Sequence, residues 1–275
     1  MAHNTVELIL GDCLVEMKKI ADNSIDLVLA DLPYGTSDRS GVSQTGNNRV
    51  LAWDTTIPLD ELWDAYRRVL KPTGAVVLTA DQPFTSQLVV SNLPWFKYEW
   101  IWRKRRTTGF LHANARPMKE TEDILVFSPR GASGVSKRAN KNMTYNPQGL
   151  IPKAVKKMNS AKRLGKFLHQ PDHLGAGNRL IHSTEYEQRF TNYPSEIIEF
   201  PLETKTHHPT QKPVALLEYL ILTYSNPGEL VLDNCMGSGS TGVAARNCGR
   251  RFIGIEIDES FFRIAEERIR HSRLF

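Results

Sequence analysis

Cysteine is scarce in this chain. Cys13, Cys235 and Cys248 are the three present in 275 residues, and they lie far apart. That spacing excludes a disulfide framework, offers no zinc site, and suits a reducing, cytoplasmic setting. Long apolar runs are missing as well, none approaching the ~20 residues needed to span a bilayer. The start, Met1-Ala2-His3-Asn4, has neither the charged nor the apolar segment of a secretion signal. No Gly-Lys-Ser/Thr follows the glycine-rich turn near residue 237, which excludes a triphosphate-binding loop. No metal is expected: His207 and His208 are adjacent, so they point apart, and no further ligands cluster beside them.

Acids are nearly absent from one stretch. Between residues 130 and 180, Asp172 stands alone against Arg130, Lys137, Arg138, Lys141, Lys153, Lys156, Lys157, Lys162, Arg163, Lys166 and Arg179. A second basic run, Arg103-Lys104-Arg105-Arg106, lies upstream, and the whole chain carries +5. Such stretches are either solvated surface or a footprint for nucleic-acid phosphates. Charge alone does not choose between them.

The hydrophobic content is 40%, ample for a core. Apolar runs at Val6–Leu10, Ile25–Ala30, Ala75–Thr79, Tyr98–Trp102, Ile124–Phe127, Glu229–Leu232 and Arg251–Ile257 predict strands. Helical spacing occurs over Cys13–Ile20, Leu59–Leu70, Val214–Tyr224, Ser240–Asn247 and Glu259–Arg270, with Lys71-Pro72-Thr73-Gly74 ending the second of these. This alternation predicts an α/β fold with a doubly wound, mostly parallel sheet. The rhythm divides the chain at 1–128, 129–195 and 196–275. The middle part reads as a loop-rich insertion or small subdomain, or as partly disordered when unbound. Trp95, Trp100 and Trp102 read as core or interface aromatics, one of which could stack on a base. The polar loop 35–52, followed by Trp53-Asp54, reads as an active-site cover or a DNA contact, or equally as a mobile surface loop.

Two segments carry chemistry. The first, Asp233-Asn234-Cys235-Met236-Gly237-Ser238-Gly239-Ser240-Thr241-Gly242, runs from strand through tight turn to helix. Glycines there let backbone approach a ligand closely, and a helix start presents free N–H groups. Glu256 ends the next strand 23 residues beyond Asp233, where an acid can bind ribose hydroxyls. The second is Asp31-Leu32-Pro33-Tyr34, at the end of the strand Ile25–Ala30, where ligands bind in open parallel sheets. A carboxylate (Asp31) and a neighbouring carbonyl (Leu32) can accept both hydrogens of an exocyclic amino group. That turns its lone pair toward an electrophile, with no covalent intermediate. Pro33 shapes the turn, and Tyr34 can stack on a base that has left its duplex.

Together these segments resemble a known family. Asp31-Leu32-Pro33-Tyr34 is similar to the Asp-Pro-Pro-Tyr motif of N6-adenine and N4-cytosine DNA methyltransferases. Asp233 to Gly239 is similar to their Asp-Pro-Phe-x-Gly-x-Gly loop, and His208-Pro209-Thr210-Gln211-Lys212-Pro213 to the segment preceding it. The order, catalytic motif before cofactor loop, is that of the β class. The resemblance implies a Rossmann-like methyltransferase fold and S-adenosylmethionine as cofactor. It implies cofactor contacts from Asp12, Cys13, Asp31, Thr210, Gln211, Lys212, Asp233, Cys235, Met236, Gly237, Ser238, Gly239, Ser240, Thr241, Glu256 and Ile257. It further implies double-stranded DNA as partner, target recognition in the basic region 129–195, and frequent pairing into homodimers. Asp at position 31 goes more often with adenine N6, and cytosine N4 is the alternative. Methylation of RNA or of protein glutamine, and a non-enzymatic DNA-binding module, fit fewer of these residues. Leu32 replaces the first proline, Cys235 the usual phenylalanine and Asn234 a proline, which leaves the wall near Cys235 in question.

Overall fold

The computed structural model describes residues 5–35, 56–131, 142–158, 185–204 and 211–272. The chain forms two compact units, one from residues 1–146 with 195–275 and a smaller one from 147–194. The larger unit is built on one eight-stranded sheet. Its strands in chain order are β1 (Val6–Leu10), β2 (Ile25–Asp31), β3 (Leu70–Ala80), β4 (Phe96–Thr108), β5 (Lys119–Phe127), β8 (Ile197–Glu199), β9 (Leu230–Asp233) and β10 (Arg251–Glu256). Across the sheet the order is β1-β10-β9-β2-β3-β5-β4-β8. Only β5 runs against its neighbours; the other pairings are parallel. Among the described residues, the smaller unit holds β6 (Ile151–Met158) and β7 (Glu185–Thr191), an antiparallel pair. It begins later than the expected insertion at 129. No described helix is long and apolar enough to cross a membrane.

The apolar strands divide their side chains between two cores, as burial on both faces requires. Along β2, Val28 and Ala30 enter one core while Leu27 and Leu29 enter the other. The first core is covered by α1 (Cys13–Met17), α2 (Leu59–Val69) and α3 (Phe84–Ser91), the second by α4 (Val214–Tyr224), α5 (Ser240–Asn247) and α6 (Glu259–His271). Helix α2 shows why: Leu62, Trp63, Tyr66 and Val69 recur on one face and are all buried. Each such buried apolar side chain contributes about 1.5–3 kcal/mol. Trp100 and Trp102 are core residues, with indole N–H groups bonded to the Tyr224 hydroxyl at 2.5 Å and the Phe200 carbonyl at 2.9 Å. Trp95 packs half-buried at the edge of the first core.

Several boundaries differ from expectation. Lys71-Pro72-Thr73-Gly74 does not separate α2 from β3; these residues form an irregular start to β3, where Ile25 pairs with Leu70 but Leu27 with Ala75. The side chain missing at Gly74 permits this, because a Cβ there would lie 2.8 Å from the Asp26 carbonyl. Lys71 fastens the same bulge by an ion pair with Asp26 at 2.7 Å. Helix α1 stops at Met17 rather than Ile20. Helix α3, β8 and the β6–β7 pair were not expected; their short segments carry weak periodicity.

The order β9-β2 is the point where coverage switches faces, so the carboxyl ends of these strands border a crevice. Asp31 ends β2 and Asp233 ends β9. Behind that crevice, a Cβ on Gly254 of β10 would collide with Met236 Sδ and approach a Phe252 ring carbon to 2.7 Å. Gly254→Ala is therefore expected to destabilise the fold by about 1–3 kcal/mol through overpacking, read as a lower urea midpoint with unchanged slope.

Candidate active site

Asp31 stands at the mouth of the crevice with both carboxylate oxygens engaged. Its Oδ1 accepts from the Tyr34 hydroxyl at 2.8 Å and also from the Thr79 hydroxyl, its register partner on β3. Its Oδ2 lies 2.8 Å from the ammonium of Lys212. That ammonium is equally close, 2.8 Å, to Glu122 Oε1 on β5, and Lys104 on β4 approaches Glu122 Oε2 at 2.7 Å. Two acids and two bases thus alternate through the site. Tyr34 also bonds Glu122 at 3.2 Å, its ring lies against Phe84 at 5.2 Å, and Lys212 sits 5.8 Å from the ring centre. Leu32, in contrast, turns its side chain into the first core and is 3% exposed. Leucine at this position therefore has a packing task that leaves its carbonyl unaffected.

These groups perturb one another. Burial disfavours the charged form of Glu122, but the adjacent Lys212 and Lys104 outweigh it and hold its pKa down to about 2. Lys212 likewise suffers desolvation, yet Asp31 and Glu122 hold it firmly protonated, above the usual lysine range. Tyr34 is raised well above an ordinary phenol, first by burial and then by the charges of Asp31 and Glu122. It remains a neutral hydrogen-bond donor.

The glycine loop closes the other side. Gly237 (φ 50°) and Gly239 (φ 81°) adopt left-handed backbone, and a Cβ on Gly239 would also meet Ala265 Cβ at 2.8 Å. Glu256, at the tip of β10, braces this loop: its Oε2 accepts from Gly237 N and its Oε1 from Asp258 N, both at 2.8 Å. Asp233 accepts from Cys235 N at 3.0 Å; burial, only partly opposed by the Thr241 hydroxyl, pushes it up to about 7. Met236, Ser238, Ser240 and Thr241 are buried, while Ile257 beyond the β10 tip is exposed. Asp12 caps α1, accepting from Leu14 N at 2.8 Å and Val15 N at 3.1 Å, and Gly11 N bonds the Glu256 carbonyl at 2.8 Å. The expected contacts from β1, β9 and β10 therefore gather at one end of the sheet.

The wall around Cys235 has its own local bonding. The Tyr66 hydroxyl donates to Asn234 Oδ1 at 2.6 Å, and the Asn234 amide donates to Cys235 Sγ at 3.4 Å. The neighbouring Cys235 thiol lowers the Cys13 pKa, while Cys13 and burial raise that of Cys235.

Lys212, expected at the methionine end of the cofactor, places its ammonium between Asp31 and Glu122. Its neighbour Gln211 does join the loop, accepting from the Ser238 hydroxyl at 3.2 Å and donating to Glu203. Glu203 also caps α4 through Val214 N at 2.8 Å. Arg268 of α6 bonds the Ser238 carbonyl at 2.5 Å and the Ser240 hydroxyl at 3.2 Å. Thr79, Lys104, Glu122, Glu203 and Arg268 were not anticipated. The available signal was Glu122, an acid continuing the buried alternation of Ile124 and Val126. Thr210, His207, His208, the loop residues 36–52 with Trp53-Asp54, and Lys137, Arg138, Lys141, Lys162, Arg163, Lys166 and Arg179 lie outside the described residues.

A family comparison decides the class: the profile of the DNA methylase family matches residues 25–267. The chain belongs to that family. Among its curated relatives, DNA adenine methyltransferase YhdJ of Escherichia coli (strain K12) is 29% identical over 273 residues, covering 95% of this chain and 82% of the relative. Type II methyltransferase M.HinfI of Haemophilus influenzae is 27% identical over 274 residues, covering 94% of this chain and 67% of the relative. The solved M1.HpyAVI–SAM complex shares the fold, with a TM-score of 0.58 at 22% identity over 96% of this chain and 100% of that one. PvuII DNA methyltransferase (cytosine-N4-specific) gives 0.63 at 14% identity over 96% and 86%.

A stability test follows from the depressed Glu122. A carboxylate whose pKa falls on folding stabilises the native state above its unfolded value and loses that contribution as pH drops through its folded value. Wild type is thus expected to exceed Glu122→Gln by about 3 kcal/mol near neutrality. The difference should fade between the ordinary glutamate range and about pH 2. Denaturant titrations of both proteins across that range check it.

Proposed function

We propose that the chain is an adenine-specific DNA methyltransferase, moving the methyl group of S-adenosylmethionine to N6 of an adenine rotated out of the duplex. The observation that carries this reading is the meeting of Asp31 and the braced glycine loop at the switch point of the sheet. The pocket suits the cofactor. Two left-handed glycines bring bare backbone to the cleft, and the Glu256 carboxylate at the β10 tip stands beside them, with lone pairs beyond its two backbone bonds to accept from ribose hydroxyls. Gln211 and Asp233 bond the same loop, and Gly11, next to Asp12, bonds the Glu256 carbonyl. When bound, S-adenosylmethionine supplies an electrophilic methyl group.

The protein's task is then to make a poor nucleophile attack. Asp31 and the Leu32 carbonyl accept the two hydrogens of the amino group, so the nitrogen pyramidalises and its lone pair leaves the ring. Lys212 keeps the Asp31 carboxylate aimed, and Glu122 with Lys104 keeps the local charge balanced as positive charge grows on nitrogen. The proton shed by nitrogen leaves along its bond to Asp31. Tyr34 offers its ring to the base while its hydroxyl fixes Asp31. In this reading the unit 147–194, with Lys153, Lys156 and Lys157, serves target recognition. Homodimer formation is part of the same proposal.

The test uses labelled cofactor and PCR-amplified bacterial DNA. Nuclease digestion should place the label in N6-methyladenine; label in N4-methylcytosine transfers the reading to cytosine, and label in RNA or protein alone overturns it. Asp31→Asn is expected to lower kcat by roughly 100-fold or more while cofactor affinity changes little. An unaltered kcat in single-turnover assays removes Asp31 from the chemistry.

A further inference from the structure

The most exposed apolar side chains among the described residues sit together. Leu111 is 94% and Phe110 78% exposed, at the apex of the hairpin joining β4 to β5. The apex is an ordered turn: Gly109 takes a left-handed φ of 92°, Phe110–His112 forms one 3-10 turn, and Ala113 N bonds the Phe110 carbonyl at 3.0 Å. The Thr108 hydroxyl donates to the Lys119 carbonyl at 3.3 Å, joining the two arms. Two large apolar groups held in water on a built support call for a partner.

Charge and position identify that partner. The arms bear Arg103, Lys104, Arg105, Arg106, Arg116 and Lys119. Arg103 is paired with Glu120 and Glu199, Lys104 with Glu122, and Lys119 with Asp81. Arg105, Arg106 and Arg116 are exposed and form no ion pair among the described residues. They therefore remain available to phosphates. The hairpin also leaves the sheet at the catalytic end, because β4 runs parallel to β3 through the antiparallel β5. Lys104 touches the Asp31 cluster through Glu122, and Phe110 stands six residues further along. At ~3.3 Å per residue, the tip is within about 20 Å of the pocket.

We propose that Phe110 and Leu111 form an apolar wedge that enters duplex DNA beside the base drawn to Asp31, with Arg105, Arg106 and Arg116 on the flanking phosphates. This rests on the DNA-methylating reading. A base leaving the stack creates an apolar gap, and a side chain filling it replaces the lost stacking. The wedge acts on opening the duplex, and the arginines act on holding it.

The double variant Phe110→Ala/Leu111→Ala tests this in the full chain, because both side chains are exposed and their loss leaves the core intact. On PCR-amplified bacterial DNA, methyl incorporation is expected to fall at least tenfold, with duplex affinity within threefold of wild type and the urea midpoint unchanged. Phe110→Trp/Leu111→Met should restore most of the rate. Methyl incorporation within twofold of wild type overturns the wedge, as does a parallel loss of rate and affinity. A dimer in sedimentation velocity that the Ala variant converts to monomer assigns the tip to a second copy of this chain and also overturns it. A wild-type chain inactive on duplex DNA instead sinks the methyltransferase reading on which the wedge depends.

Discussion

A lysine ammonium buried between two carboxylates sets the terms for this site. Lys212 is 8% exposed, and its charge is tolerable in the interior only because Asp31 and Glu122 each stand 2.8 Å away. Those acids belong to β2 and β5, with β3 between them, so the arrangement exists only when the sheet order is correct. Glu122 in turn has Lys104 on its second oxygen. Removing any one member leaves a charge without compensation, and the set therefore behaves as a unit. Its consequence for chemistry is an Asp31 carboxylate held in one orientation, with Lys212 on one oxygen and Tyr34 on the other.

The glycine loop obeys a different constraint, that of close approach. Gly237 and Gly239 hold backbone shapes that side chains resist, and Gly254 and Gly242 admit Met236, Phe252 and Ile269 behind them. Glu256 grips the loop by the Gly237 amide, and Arg268 by the Ser238 carbonyl and the Ser238 and Ser240 hydroxyls. Rigidity on this side and charge balance on the other face the same crevice. The fold supplies the crevice through the reversal at β9-β2, where helices change faces.

Much of this was legible in the residues. Continuous apolar runs announced β2, β9 and β10, and Asp31 and Asp233 could be placed at strand ends because those runs stop there. The family pattern followed from three motifs in a fixed order. Glu122, Lys104, Thr79 and Arg268 escaped notice because each lies far along the chain from the group it serves, 91 residues separating Glu122 from Asp31. Such pairings are properties of strand order and register, which local periodicity does not encode. The start of β3 was misjudged for a related reason. Pro72 and Gly74 signal a turn, yet the Lys71–Asp26 ion pair and the space at Gly74 admit them as a bulge. Lys212 was expected beside the cofactor because its segment resembles the family's; its ion pairs with Asp31 and Glu122 were not legible, since they join residues 181 and 90 positions away.

The same physics links the site to the basic hairpin, since β4 and β5 deliver Lys104 and Glu122 inward and Arg105, Arg106, Phe110 and Leu111 outward. The most direct measurement is a crystal structure of the protein with a methylatable DNA duplex and a cofactor analogue that has no transferable methyl. The expected result is an everted adenine with its amino nitrogen about 3 Å from both the Asp31 carboxylate and the Leu32 carbonyl, and Lys212 still bridging Asp31 to Glu122. A base seated away from Asp31, or a Lys212 withdrawn from both carboxylates, would contradict it.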